Sequence, residues 1–150
     1  MRSIISKSNL SFFLIPILIL TLFVRCDDNE TPFPNVSVYA NLSLDTQLKN
    51  VLVGDYVEVD NYGIGGLIIF RADNNDFMAF DRACTYEASH SCILTDDDHD
   101  GIFACPCCES QFWMVNSVDI AGTVYQGPAN YPLKQYNCYF NGVNTVTVTN

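Results

Sequence analysis

Cys105-Pro-Cys-Cys-Glu-Ser-Gln-Phe112 decides how this chain is read, and Cys84-Thr-Tyr86 upstream completes it. The first segment crowds Cys105, Cys107 and Cys108 into one turn. Cys84 ends an apolar run, Cys92 lies in the loop that follows, and Cys138 stands alone on a later apolar segment. The cysteines beyond Cys26 could form disulfides in many connectivities. Adjacent Cys107 and Cys108 are awkward for a plain disulfide framework. Clustered thiols on two facing loops look more like a metal site, because thiolates select zinc or iron–sulfur.

Outward from these segments the chain reads as short strands. Val36-Ser-Val-Tyr-Ala40 alternates weakly and Tyr56-Val-Glu-Val59 clearly, before a turn-rich stretch from Asn61 to Gly66. Leu67-Ile-Ile-Phe70 reads as a buried strand, and Phe77-Met-Ala-Phe80 resumes after a turn at Ala72 to Asp76. Further strands are expected at Ile102–Ala104, Gln111–Met114, Gly122–Tyr125, Lys134–Phe140 and Val143–Val148. Asn141-Gly142 marks a hairpin between the last two, and Val146 and Val148 alternate with threonines at period two. One short helix is expected at Leu44 to Lys49. No internal repeat occurs. The class is all-β.

The two cysteine segments resemble the cluster-binding boxes of Rieske iron–sulfur proteins. The family pattern is Cys-x-His, a loop, then Cys-x-x-His-Gly-Ser-x-Phe. Here the loop runs from Glu87 to Ala104. Gly127-Pro128-Ala129, followed by Pro132-Leu133, resembles the proline loop that covers the cluster. The resemblance covers about Leu48 to Asn150. It implies stacked antiparallel sheets with an inserted cluster-binding subdomain, in the region 48–150. The family holds one iron of a 2Fe–2S cluster with two cysteines and the other with two histidines. The cysteine positions fall on Cys84 and Cys105. The histidine positions fall on Tyr86 and Cys108, so both imidazoles are replaced. Glu109 takes the place of the box glycine. Ser110 remains, whose hydroxyl in the family donates a hydrogen bond toward the cluster.

Three ligations stay open. Cys84, Cys105 and Cys108 hold a 2Fe–2S cluster, with Cys92, His90 or Tyr86 as fourth ligand. Thiolates in place of neutral imidazoles add negative charge, which moves the potential toward roughly −400 mV and removes coupled proton transfer. Alternatively Cys84, Cys92, Cys105 and Cys108 hold zinc, although the Cys84–Cys92 spacing is wide for a zinc knuckle. In the third, no cluster is bound and disulfides staple the loops. The resemblance makes Cys92–Cys107 the counterpart of a disulfide that high-potential members carry. The functional expectation is electron transfer or redox sensing with an unidentified redox partner protein. The rival is a cluster-free, disulfide-stapled or zinc-bound module with a binding or structural role. Neither reading makes the chain an enzyme on its own.

The 150 residues carry 17 Asp and Glu against 7 Lys and Arg, a net charge of −10. Arg2, Lys7 and Arg25 all precede Cys26 and no carboxylate does, so the rest is more acidic still. That balance excludes nucleic acid as a partner. Ser8 to Val24 is uncharged and interrupted by Pro16, short of the roughly 20 residues a spanning helix needs. With its basic start it reads as an export signal over residues 1–26. Cys26, followed by Asp27 and Asp28, resembles the lipidated cysteine of a bacterial lipoprotein. The expected location is the cell envelope outside the cytoplasm, with the membrane reached through a lipid anchor on Cys26 and disulfides permitted. Residues 27–47 read as a linker and a first strand.

Asp96, Asp98 and Asp100 before Gly101 copy the opening of a calcium loop, but position twelve is Cys107 and the motif fails. An acidic solvated turn is the reading. His90 reads as a loop histidine, and Phe103, Phe112, Trp113 and Tyr131 as core aromatics beneath the loops. Two dispersed histidines support no Ser–His–Asp arrangement, and there is no glycine-rich phosphate loop.

Overall fold

The apolar runs become antiparallel strands in a computed structural model that describes residues 33–114 and 119–150. Among the described residues they are β1 (Tyr39–Ser43), β2 (Tyr56–Val59), β3 (Leu67–Arg71), β4 (Phe77–Asp81), β5 (Ile102–Ala104), β6 (Gln111–Trp113), β7 (Val124–Gln126), β8 (Gln135–Phe140) and β9 (Thr145–Thr149). A six-stranded sheet has the order β1-β9-β8-β4-β3-β2, and β5-β6-β7 form a second, three-stranded sheet. The small sheet is inserted between β4 and β8. The fold is all-β.

β3 shows how the sequence divides the interior. Its apolar residues are buried on both faces, and period two sends them to different cores. Leu67 and Ile69 join Ala40, Leu42, Phe77, Ala79, Val146 and Val148. Ile68 and Phe70 join Phe80, Leu94, Phe103, Phe112 and Met114. β1 and β3 are not sheet neighbours yet share the first core, so the large sheet curls around it. The second core fills the space between the two sheets and includes Cys84, Cys92 and Cys105. Each fully buried phenylalanine or leucine there contributes about 1.5–3 kcal/mol.

Asn141-Gly142 makes the expected hairpin, pairing Cys138 with Val148 and Phe140 with Val146. The Asn141 side-chain oxygen accepts from the backbone N–H of Val143, Asn144 and Thr145. Gly142 takes the left-handed φ of +76° that this turn needs.

Two expectations are corrected. The first strand lies at Tyr39–Ser43, later than Val36–Ala40, and pairs with β9 over its whole length. It is therefore a member of the main sheet. Leu44 to Lys49 is a run of turns, not a helix. The segment is too short to recover the cost of helix nucleation. Instead the Ser43 carbonyl accepts from both Thr46 and Leu48 N–H, and buried Leu48 and Val51 anchor the turns to the core. The signal segment and Cys26 lie outside the described residues. Among the described residues, no helix is long and apolar enough to cross a membrane.

Asp81, at the end of β4, is fully buried and accepts four hydrogen bonds. They come from the N–H of Ile64 (2.8 Å), Gly65 (2.9 Å) and Ala83 (2.8 Å), and from the Tyr136 hydroxyl (2.8 Å). All four lone-pair sites of the carboxylate are thus used. Gly63 fits only because it lacks a Cβ, which would fall 2.1 Å from an Asp81 oxygen. Burial, then the bond to Asp81, holds the Tyr136 hydroxyl above its usual pKa.

Cys138, on β8, packs against the first core. Burial, then the charge of Asp76, pushes its thiol from 9.0 up to about 12. Below pH 9 this thiol is neutral in both folded and unfolded chains and contributes no slope. Between pH 9 and about 12 the unfolded chain loses the proton first, so stability falls as pH rises. Denaturation midpoints measured across that window should therefore decline more steeply for the native chain than for Cys138→Val. Equal slopes would refute this.

Candidate metal centre

Box one is built by β4 and its exit loop. The Cys84 N–H donates to the Cys92 carbonyl (3.0 Å), and Ala83 bridges to Ile93, so the loop returns beside its own start. A second bridge, Thr95 to Ala104, ties it to β5. Box two is the connection between β5 and β6. The Cys105 N–H donates to the Ser110 carbonyl (2.8 Å), and the Glu109 N–H donates to the Cys105 carbonyl (2.9 Å), which makes a tight turn.

That turn brings the sulfurs of Cys84, Cys105 and Cys108 to within 4.8 Å of one another. The Cys84 and Cys108 sulfurs are 3.5 Å apart. Cys84 and Cys105 are buried, and Cys108 is half-buried. Cys92 is not with them. It forms a disulfide with Cys107, joining box one to box two across 15 residues of sequence. Cys92 is thereby removed from the expected ligand set, because a disulfide sulfur has no thiolate to offer. The pairing is the one the Rieske resemblance implies. By the chain-entropy model a closure of this length contributes about 3 kcal/mol.

Ser110 joins the boxes to the proline loop. It is fully buried, and its hydroxyl oxygen accepts from the Ala129 N–H (3.0 Å) while lying 3.1 Å from the Cys108 sulfur. The neutral Cys108 thiol donates to this oxygen, and once Cys108 ionises the Ser110 hydroxyl donates to the sulfur instead. Gly127 makes this approach possible: at φ +108° its missing Cβ would fall 2.4 Å from Ser110 Cα. Pro128, next to it, is exposed and acts through the loop it shapes. A third tie runs from the Thr85 hydroxyl to the Tyr131 carbonyl (2.7 Å).

The thiols differ in their protons. Burial, then the neighbouring Cys105 thiol, pushes Cys84 up to about 12, against an opposing pull from the backbone N–H of Tyr86 and Glu87. Burial also works to raise Cys108, but bonds from the Ser110 hydroxyl and N–H, then Cys105 and Cys84, outweigh it. Its net shift is downward. The site therefore has one accessible thiol inclined to ionise, beside a buried one inclined to stay neutral.

Other expected residues stand apart. Tyr86 is 56% exposed and outside the sulfur group. His90 is exposed and also outside it. Phe103 and Phe112 are core, as expected, whereas Trp113 is half-buried against Tyr125 and Tyr131 is partly exposed. The Asp96 carboxylate is used within its own turn, accepting from the N–H of Asp100 and Gly101 and from the Tyr56 hydroxyl. Among the described residues, the three cysteines are the only convergent ligand group.

Sequence reading missed Asp81 and the backbone of Glu109. An Asp closing the apolar run Phe77–Phe80, just before box one, was the available signal for the first. For the second it was a charged residue at a glycine position: Glu109 has φ +61°.

In donor type the site fits an iron–sulfur centre: three thiols, apolar burial, and a hydroxyl 3.1 Å from one sulfur. In number it supplies three of the four ligands that a 2Fe–2S cluster takes from protein. The three sulfurs also suit a single tetrahedral zinc ion, whose 2.3 Å bonds would set them about 3.8 Å apart.

No family model matches the chain, and no curated protein does. Several solved structures are similar to it, three of them as follows. A chain from the complex of reduced oxygenase and oxidised ferredoxin in carbazole 1,9a-dioxygenase is 15% identical, with 74% of this chain and 93% of that one covered and a TM-score of 0.45. A putative NADH-dependent nitrite reductase small subunit from Mycobacterium tuberculosis is 16% identical, with 77% and 97% covered and a TM-score of 0.42. The Sphingomonas yanoikuyae B1 ferredoxin is 19% identical, with 78% and 99% covered and a TM-score of 0.43.

The left-handed conformation costs a residue with a side chain about 1–2 kcal/mol, partly offset by the greater chain freedom of glycine when unfolded. Glu109→Gly should raise stability by about 0.5–1 kcal/mol in denaturant unfolding. A loss of stability would mean that the Glu109 side chain contributes more than its strained backbone costs.

Proposed function

We propose that this chain is a redox protein of the cell envelope that carries electrons, or senses redox state, through a metal centre on Cys84, Cys105 and Cys108. The observation that supports it is the meeting of three free thiols from two loops that are already fastened without a metal. Cys84 and Cys105 enter from opposite boxes, and Cys108 closes the group on the outer side. The Ser110 hydroxyl, 3.1 Å from the Cys108 sulfur, would donate to the ionised sulfur and so favours the thiolate that a metal requires. The second core keeps water from the inner two sulfurs. A 2Fe–2S cluster held here supplies one-electron transfer at a potential nearer the plant-type value, roughly −400 mV, than the Rieske range. The fourth ligand then comes from outside the convergent group, with exposed Tyr86 occupying the position that the resemblance assigns.

A second reading, one zinc ion in a structural role, is favoured by the close grouping of the sulfurs around a single point. The location rests on the export signal and on Cys26, whose acylation would hold the domain at the membrane surface.

Metal and sulfide analysis of the full chain, purified without oxygen, separates these readings. About two irons and two sulfides per chain, with visible sulfur-to-iron absorption lost in Cys84→Ser and Cys105→Ser, is the expected result. One zinc per chain moves the site to the structural reading, and a colourless metal-free protein overturns the redox proposal. Location is tested separately. Cys26→Ser should release the protein from the membrane fraction, and retention at unchanged size would replace the lipid anchor by an uncleaved one.

A further inference from the structure

We propose that Cys84 and Cys108 form a reversible dithiol–disulfide couple that reacts with small disulfides when the centre holds no metal. The inference goes beyond the metal reading and depends on the thiols being free, not on which metal they bind.

Three observations carry it. The Cys84 and Cys108 sulfurs lie 3.5 Å apart, in contact at hydrogen-bonding distance. A disulfide needs about 2.05 Å, so a small side-chain movement closes the gap. The two residues also differ in access: Cys108 is half-buried and reachable from outside, while Cys84 is buried behind it. Finally, the competing cysteine is already committed, because Cys107 is bonded to Cys92. Cys105 is buried as deeply as Cys84, and its turn is held by its own backbone bonds to Glu109 and Ser110.

The chemistry balances with a low-molecular-weight disulfide as oxidant. The Cys108 sulfur attacks it, its S–S bond breaks, and one small thiol leaves as the mixed disulfide forms on Cys108. The Cys84 sulfur then attacks the Cys108 sulfur of that mixed disulfide. A Cys84–Cys108 bond forms and the second small thiol leaves. Two protein thiols are oxidised, the small disulfide is reduced to two thiols, and the protein's two protons end on them. The exposed sulfur acts first and the buried one resolves, an order set by access. Closing the couple removes two of three ligands, so oxidation and metal loading exclude one another.

The full chain, stripped with a chelator under reducing-agent-free conditions, is incubated with oxidised glutathione. Remaining thiols are alkylated and the cysteine pairs mapped by mass spectrometry. The expected outcome is a Cys84–Cys108 linkage, with Cys105 and Cys138 alkylated and Cys92–Cys107 intact. Free thiols among these positions then fall from four to two. Cys84→Ser should stop at the glutathione adduct on Cys108, whereas Cys105→Ser should still form the linkage. Cys84 and Cys108 both alkylated in the native chain, or Cys108 found paired with Cys105 or Cys107, overturns the proposal. Mapping the native chain requires no variant to fold. Because it starts from metal-free protein, its outcome is independent of whether iron or zinc is found at the site.

Discussion

The buried carboxylate of Asp81 is the constraint on which the rest depends. A fully buried carboxylate is costly unless its acceptors are all used. Here the four donors come from three stretches of chain: the Gly63–Gly65 turn, the start of box one at Ala83, and Tyr136 on β8. One side chain therefore fixes where β4 ends, how the β2–β3 connection folds over it, and how β8 lies alongside. Cys84 is three residues further on. Its position is set by the scaffold before any metal or disulfide acts on it.

At the other end of the site the fastenings differ in kind. A disulfide joins box one to box two, the Ser110 hydroxyl joins box two to the proline loop, and Thr85 joins box one to the segment after that loop. None of these links uses Cys84, Cys105 or Cys108. The loops are held by groups other than the candidate ligands, which leaves the three sulfurs pre-positioned and chemically free. A site organised in this way needs no metal to keep its shape, unlike small domains that fold only when metal binds. Pre-positioning also lowers the ordering cost that metal binding would otherwise carry.

Much of this was legible in the sequence, for reasons particular to each element. Leu67–Phe70 and Phe77–Phe80 are short, apolar and bounded by turn residues, and Asn141-Gly142 permits little but a hairpin. The small sheet came through its boxes, since β5 and β6 are only three residues each and carry little periodic signal. The helix expected at Leu44–Lys49 failed because the segment is too short to recover the cost of nucleation, and buried Leu48 and Val51 anchor turns in its place. Cys92 was ambiguous for a physical reason: thiol and disulfide are the same residue in sequence, and only the approach of Cys107 decides between them. Asp81 was not legible as an anchor. A lone acidic residue at a strand end normally faces water, and its four donors come from backbone that the sequence does not mark.

Access then orders what the site can do. Of the three sulfurs, Cys84 and Cys105 are sealed by the second core, and Cys108 alone is partly open. A metal would have to be delivered past Cys108, an electron arriving from a partner would meet that sulfur first, and an oxidising disulfide would attack it first. The same residue occupies a position where the Rieske resemblance places histidine. Replacing imidazole by thiolate there exchanges a ligand that carries a proton for one that can form a covalent bond. With a cluster bound, proton-coupled electron transfer would be lost, and the proposed reversible closure of the site would take its place. The substitution that weakens the resemblance is therefore the one on which the proposed chemistry of this centre turns.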